Sequence, residues 1–225
     1  MVCLQGIEIS WMEADKVKIN TVIISILAIA AIEIIVRLVV HQTLIASLIG
    51  LGLARLAEII FLLILVNIFE KGLSAIGLNF ADIFKGLKKG FIWAVIFGAA
   101  AGVILWIIYL VGINVPALFQ MKLPDNVLDL VVFFLIGAFF APLAEEIFFR
   151  GILYGFFRRW GISTAIIVST LLFVLPHTSG HTLPVTQIIG GILFAVSYEV
   201  EKNLLVPITI HSLGNLAIFT IAASI

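Results

Sequence analysis

Long apolar segments dominate this chain and limit what it can fold into. A helix that crosses a bilayer needs about 20 mostly apolar residues, because the hydrocarbon core is about 30 Å thick. Seven segments are candidates: residues 19–40, 43–68, 90–113, 127–150, 162–177, 184–199 and 204–223. The fifth is short and interrupted by Pro176, and the sixth is marginal. We therefore predict an all-α, polytopic transmembrane helix bundle of about seven spans, with six to eight possible.

The composition agrees with a membrane protein and excludes several other classes. Hydrophobic residues make up 63% of the chain and charged residues 12%, whereas soluble domains carry about 25% charged residues. The formal net charge is zero, so we expect no nucleic-acid partner. Nothing in the sequence predicts an oligomeric state. The expected surroundings of the chain are the lipid bilayer.

We divide the chain into three regions that together form one membrane unit. Residues 1–16 are a polar N-terminal tail, residues 17–124 hold the first transmembrane helices and a linker, and residues 125–225 hold the remaining helices. The tail lacks the order of basic, apolar and small residues that a cleavable signal needs, so we expect no cleaved leader.

The distribution of Lys and Arg predicts the orientation. With the N-terminus inside, only Lys122 lies outside, and nine basic residues flank the spans on the cytoplasmic side: Lys16, Lys18, Lys71, Lys85, Lys88, Lys89, Arg158, Arg159 and Lys202. We expect a plasma (inner) membrane, and the short chain with compact loops is typical of a prokaryotic protein. Residues 70–90 space apolar side chains so that a helix would have an apolar face opposite its lysines, which favours an amphipathic linker on the inner membrane surface over an ordinary loop.

Ionisable residues inside the spans are costly, at about 2.5 to 3.5 kcal/mol each near the membrane centre, so each needs a partner or a function. Glu33 and Arg37 lie four residues apart, and Arg55 and Glu58 lie three apart, so we interpret both as intrahelical ion pairs. Gly98 and Gly102 indicate a close helix contact in the third span.

The segment APLAEEIFFRG, residues 141–151, differs because its three charges cannot neutralise in pairs. Glu146 and Arg150 share a helix face, whereas Glu145 lies about 100° away around the helix. A carboxylate without a cation in an apolar helix is protonated, bound to a metal or next to a water-filled cavity. The last two are the settings that chemistry uses.

Two further polar pairs follow. His177 lies four residues after Phe173, beside the helix-breaking Pro176, and His211 lies four residues before Asn215. A glutamate that activates water and imidazoles that bind a metal or polarise a carbonyl form an amide-hydrolysing set. No serine or cysteine has a comparable setting, which disfavours covalent catalysis, and H-E-x-x-H is absent. His41 and His181 lie in short polar connections, the latter as a possible spare ligand.

In order, the motifs EEIFFR, FVLPH and HSLGN resemble the E-E-x-x-x-R, F-x-x-x-H and H-x-x-x-N/D motifs of the CPBP family of intramembrane proteases, which includes CAAX prenyl endopeptidases and bacteriocin-processing and immunity (Abi-type) proteins. The resemblance covers about residues 125–220. It implies an intramembrane endopeptidase in which Glu145, together with His177, activates water. His211 and Asn215 would stabilise the oxyanion, and Glu146 with Arg150 would support that geometry. The family is also described as metalloproteases, and on that mechanism Glu145, His177 and His211 become candidate Zn²⁺ ligands.

Three questions stay open at this level. The expected substrate is a membrane-associated peptide or protein tail, but no feature of the sequence predicts recognition of a prenyl group. A transporter or proton-coupled carrier also uses intramembrane Glu, His and Arg, and a catalytically silent immunity or scaffold protein is the third interpretation. Finally, Glu145 and His177 fall at different depths in the seven-span topology, unless the fourth helix continues to about Trp160 or the fifth is tilted and bent.

Overall fold

The computed structural model describes residues 17–39, 44–119, 121–178 and 184–225. Within these ranges the chain forms seven main helices. They are α1 (Ile19–Val39), α2 (Leu44–Phe69), α3 (Ile83–Leu110), α4 (Val127–Trp160), α5 (Ile162–His177), α6 (Val185–Glu201) and α7 (Leu205–Ala223). Each predicted apolar segment corresponds to one of these helices.

Five of the helices, α1, α2, α3, α4 and α7, are long and apolar enough to cross a membrane. Helix α5 is apolar but shorter, and α6 has 17 residues. Large apolar side chains are exposed along the outer surfaces of α1 to α3, among them Leu38, Ile68 and Trp106, as lipid-facing residues should be. The predicted all-α polytopic bundle is confirmed, and the chain is an integral membrane protein.

Helix α4 is longer than the predicted segment 127–150 and continues to Trp160. This agrees with the predicted alternative in which the fourth helix continues to about Trp160, and Arg150 within it is fully buried. The helix instead ends at Gly161, whose φ of 103° ordinary residues rarely adopt. Glu145 consequently lies about 27 Å from the start of α4 and about 22 Å from its end, near the middle of the helix.

The linker of residues 70–90 does not form one amphipathic helix. Two short 3-10 turns, Leu73–Ile76 and Phe80–Asp82, precede α3, and Gly77 separates them with a φ of 72°. Ile76 is fully buried, whereas Phe80 and Phe84 are exposed, so the apolar side chains do not share one face. Lys85, Lys88 and Lys89 lie in the first two turns of α3, whereas Lys71 precedes both 3-10 turns.

Helix α4 lies at the centre of the bundle and contacts α2, α5 and α7. The most extensive packing elsewhere joins α3 to α7, α5 to α6, and α1 to α2. Buried side chains of α4 form the middle of the core together with residues of the neighbouring elements: Ile147, Ile152, Leu153, Tyr154, Leu62, Val66, Ile76, Tyr198, Leu204 and Val206. The contact expected at Gly98 and Gly102 is not seen, since no described atom lies within 4 Å of a Cβ added at either position.

The polar residues of α1 and α2 form a single cluster rather than two intrahelical pairs. Arg55 bonds Glu58 over 2.5 Å, as predicted, and also bonds Glu33 of α1 over 2.7 Å. The predicted pair of Glu33 with Arg37 is therefore wrong. A guanidinium presents several N–H donors in a rigid fork, so one buried arginine between two helices can bind both carboxylates.

Candidate active site

The segment that carries Glu145 and Glu146 is a short α-helical stretch between two π-helical turns of α4. The turns are Ile136–Phe140 and Ile147–Tyr154, and the α-helical stretch is Ala141–Glu146. π-helical turns are rare and occur frequently at functional sites. The sequence pattern contains no signal that predicts them.

Glu146 and Arg150 form a fully buried ion pair. Arg150 Nη1 lies 3.1 Å from Glu146 Oε1, and neither side chain is exposed. Arg150 Nη2 also donates to the carbonyl oxygen of Gly191 in α6 over 3.1 Å. Buried charges are tolerated in proteins when they are paired and hydrogen-bonded, so this pair fixes α4 against α6 at the level of the glutamates.

His211 of α7 lies between the two glutamates. Its Nδ1 is 2.8 Å from Glu146 Oε1, and its Nε2 is 3.8 Å from Glu145 Oε2. An ionised carboxylate only accepts hydrogen bonds, so Nδ1 donates to Glu146 and Nε2 faces Glu145. The Glu145 side chain is 19% exposed, whereas Glu146 is fully buried. The two adjacent glutamates therefore have different environments, and Glu145 is the more exposed of the two.

Aromatic rings fix the orientation of the imidazole. Phe194 of α6 stacks on His211 with ring centroids 4.6 Å apart and an interplanar angle of 19°. Phe173 meets His211 edge to face at 5.9 Å, and the Arg150 guanidinium lies 4.5 Å from the Phe173 ring. The sequence motifs identified Phe173 but missed Phe194, because a phenylalanine in an apolar helix carries no distinguishing local signal.

The other two predicted residues are placed less closely. His177 Nδ1 lies 2.8 Å from the carbonyl oxygen of Phe173, and the two rings are 4.9 Å apart. Among the described residues, the Phe173 ring contacts His177 and also contacts His211 and Arg150. Asn215 lies one turn after His211, and its Nδ2 donates to the carbonyl oxygen of Gly137 over 2.8 Å. His41 and His181 lie outside the described residues.

The predicted zinc ligands do not form a metal site in this arrangement. Zinc sites in proteins use at least three side-chain ligands at about 2.0 to 2.3 Å. Glu145 and His211 approach each other, but no three His, Cys, Asp or Glu side chains in the described ranges are grouped closely enough to hold a metal ion. The donor set seen here therefore does not fit zinc.

Comparison with known proteins identifies this region. Residues 127–217, which include all six candidate site residues, match the family described as type II CAAX prenyl endopeptidase Rce1-like. This segment makes up less than half of the chain. The resemblance of its motifs to the CPBP family agrees with that result.

Two curated relatives each align with part of the chain. A membrane-embedded CAAX protease, MroQ, from Staphylococcus aureus (strain USA300) is 33% identical over 91 residues, which is 37% of this chain and 36% of that protein. An uncharacterized 24.3 kDa protein from Escherichia coli is 30% identical over 95 residues, 40% of this chain and 42% of that protein. The alignments thus span less than half the length of either relative. No solved structure matches the chain.

The Rce1-like segment begins at the start of α4 and ends within α7. Helices α1 to α3 lie outside it, although α2 packs directly against the α-helical stretch of α4 that carries both glutamates. The N-terminal helices therefore form one wall of the candidate active site.

Proposed function

We propose that this protein is an intramembrane endopeptidase that hydrolyses a peptide bond in a membrane-associated peptide or protein tail. The observation that carries the proposal is the position of His211, which bonds the buried Glu146 and directs its second nitrogen to the open Glu145. The Rce1-like family of residues 127–217 supports the same reaction class.

In this proposal Glu145 is the general base. Its carboxylate takes a proton from a water molecule, and the water oxygen attacks the carbonyl carbon of the scissile peptide bond. A tetrahedral intermediate forms with negative charge on the former carbonyl oxygen. The proton held by Glu145 then passes to the leaving nitrogen as the carbon–nitrogen bond breaks. Glu145 suits this role because its carboxylate is partly exposed and pairs with no arginine or lysine among the described residues.

Glu146 and Arg150 act as positioning residues. They hold His211 through Nδ1, and Phe194 stacks against the same ring. With Nδ1 fixed as a donor, His211 Nε2, when protonated, can donate to the oxyanion beside Glu145. Preorganised donors of this kind contribute about 2.7 to 4 kcal/mol to transition-state stabilisation.

Asn215 and His177 complete the proposed site. Asn215 has a second amide hydrogen beyond the one that bonds Gly137, and it lies on the same face of α7 as His211. It is a second oxyanion donor in this proposal. The Phe173 ring contacts both His177 and His211, and in this proposal His177 contacts the substrate or its leaving group.

We further propose a plasma-membrane location with the N-terminus in the cytoplasm. Arg159 donates to the carbonyl oxygen of Val17, and Lys18 bonds the carbonyl oxygen of Phe69. These contacts gather basic residues from three predicted cytoplasmic connections at one end of the bundle, which supports the positive-inside assignment.

The test is cleavage by the purified full chain in detergent of a peptide library with prenylated and unprenylated C-terminal tails. We expect wild type to cleave at least one class of tail, and Glu145→Ala and His211→Ala to be inactive while retaining their helical content. Uptake of a solute into liposomes without peptide cleavage would instead indicate a carrier. Unchanged biological function in Glu145→Ala would indicate a scaffold.

A further inference from the structure

A polar cavity of about 370 Å³ lies at the end of the bundle where α3 and α7 begin. Its charged and amide side chains come from the turn before α3, from α3 itself, from the end of α6 and from the connection to α7: Asn79, Asp82, Lys85, Lys89, Glu201, Lys202 and Asn203. None of the six candidate active-site residues lines it. It is therefore a separate site.

The cavity wall is held by specific contacts. Asn203 Nδ2 donates to the carbonyl oxygen of Asp82 over 3.2 Å, and Asn203 Oδ1 accepts from the Leu205 amide over 2.9 Å. A Cβ at Gly86 would lie 2.6 Å from Asn203 Oδ1, so this close approach requires glycine. Leu204 also donates from its amide to the carbonyl oxygen of Gly77 over 3.0 Å. The wall is thus preformed.

The charges of the lining favour a group that carries an anion. Lys89 lies 3.4 Å from Glu201, and Lys202 lies 2.6 Å from Glu199, which is outside the lining. Lys85 forms no ion pair with any described residue. The lining thus holds three lysines and two carboxylates, Asp82 and Glu201, and the Lys202 ammonium keeps N–H donors beyond the one that bonds Glu199. Lysine ammonium groups bind phosphate oxygens as point charges.

The cavity lies at the depth of lipid headgroups. Helix α3 has 28 residues and is about 42 Å long, about 12 Å more than the hydrocarbon core. The length beyond the hydrocarbon core corresponds to about eight residues, and all basic residues of α3 lie within its first seven residues. Phe80 and Phe84 are 81% and 87% exposed beside the cavity lining, and exposed apolar side chains beside lysines are typical of segments that lie at the boundary between headgroups and acyl chains.

We propose that this cavity binds the phosphate-bearing headgroup of a phospholipid. Lys85 and Lys202 contact the phosphate, and Phe80 and Phe84 contact the first part of the acyl chains. Inorganic phosphate shares the charge chemistry but has no acyl chains for the two phenylalanines. The binding does not depend on the proposed proteolysis.

The test uses the full chain, delipidated in a neutral detergent, with bound lipid counted by native mass spectrometry. Three probes are titrated: phosphatidylglycerol, diacylglycerol without a phosphate, and inorganic phosphate. The double variant K85Q/K202Q is compared with K71Q/K88Q, which loses the same charge at lysines outside the cavity lining. If either double variant has a lower melting temperature than wild type, the comparison is repeated with the single variants K85Q and K88Q.

We expect one tightly bound phosphatidylglycerol in wild type, about tenfold or weaker affinity in K85Q/K202Q, and wild-type affinity in K71Q/K88Q. The double variant Phe80→Ser with Phe84→Ser is expected to bind phosphatidylglycerol more weakly. Its affinity for inorganic phosphate is expected to stay at the wild-type value. Equal losses in the two lysine variants would overturn the proposal, because they would show general surface attraction. Binding of diacylglycerol as tight as phosphatidylglycerol, or binding of inorganic phosphate alone with lipid-like affinity, would also overturn it.

Discussion

His211 Nδ1 lies 2.8 Å from Glu146 Oε1, a contact between residues 65 positions apart in sequence. It joins α7 to the middle of α4 and determines which nitrogen of the imidazole faces Glu145. Because Arg150 bonds the same carboxylate oxygen, the contact that orients the imidazole depends on a fully buried ion pair. The stability of this region and its chemistry are therefore coupled.

Arg150→Met is expected to destabilise the protein by about 3 to 5 kcal/mol, because it leaves the Glu146 carboxylate buried without a cation. The matched control is Arg37→Met, which removes an exposed arginine from another membrane helix and is expected to change stability by about 0.5 kcal/mol or less. The measurement is the free energy of unfolding in mixed micelles, followed by circular dichroism. Equal effects of the two substitutions would contradict a buried pair of Glu146 with Arg150.

Phe194→Leu is expected to lower kcat with little change in KM, because the ring stacks on His211 and orients it. An aromatic pair contributes about 0.5 to 1.5 kcal/mol beyond the area that it buries, which corresponds to roughly a two- to tenfold loss. The control is Phe139→Leu, at an exposed position of α4. A rise in KM at unchanged kcat would show that Phe194 contacts the substrate instead.

Apolar length and charge bias could be read from the sequence because they act locally. Each predicted segment became a helix, since a span of that length satisfies its own backbone hydrogen bonds. The length of α4 stayed open between residue 150 and about Trp160, because one partner of the buried Arg150, the Gly191 carbonyl, lies on another helix. Glu33 paired with Arg55 instead of Arg37 for the same reason, namely a partner on another helix.

In the candidate site, too, local features could be predicted from the sequence and features that depend on helix packing could not. Its polar residues could be listed from their unusual position in apolar helices, and Glu146 with Arg150 from their spacing. The stacking of Phe194, the carbonyl partners of Arg150 and Asn215, and the π-helical turns depend on how the helices pack. No local pattern encodes them. The roles of the six candidate residues remain predictions.

Gly86→Ala is expected to destabilise the protein by about 1 to 3 kcal/mol, because the new methyl group would lie 2.6 to 2.8 Å from three atoms of the Asn203 side chain. Gly98→Ala is the control on the same helix, where no described atom lies within 4 Å of the added carbon. That substitution is expected to be neutral or to stabilise α3 by about 0.5 to 1 kcal/mol. Thermal unfolding of both variants in detergent distinguishes these outcomes, and equal melting temperatures would contradict the close packing of α3 on Asn203.

Removal of metal ions is expected to leave peptide cleavage unchanged, because the described carboxylates and imidazoles are not grouped as a set of three ligands. Activity is measured after dialysis against a chelator and again after zinc is added back, with bound zinc quantified in each sample. Cleavage that disappears with stoichiometric zinc and returns with it would contradict this prediction. It would require Glu145, His177 and His211 to come together in the active form.

The most direct test of the account is the turnover of Glu145→Gln, which keeps the shape of the side chain but removes its ability to take a proton. Asp129→Asn is the matched control on the same helix, about 24 Å away. Turnover of a cleaved tail peptide is measured in liposomes at saturating substrate. The account predicts a loss of about 10²- to 10⁴-fold in kcat for Glu145→Gln and wild-type kcat for Asp129→Asn. A Glu145→Gln enzyme that retains wild-type kcat would contradict the assignment of Glu145 as the residue that activates water.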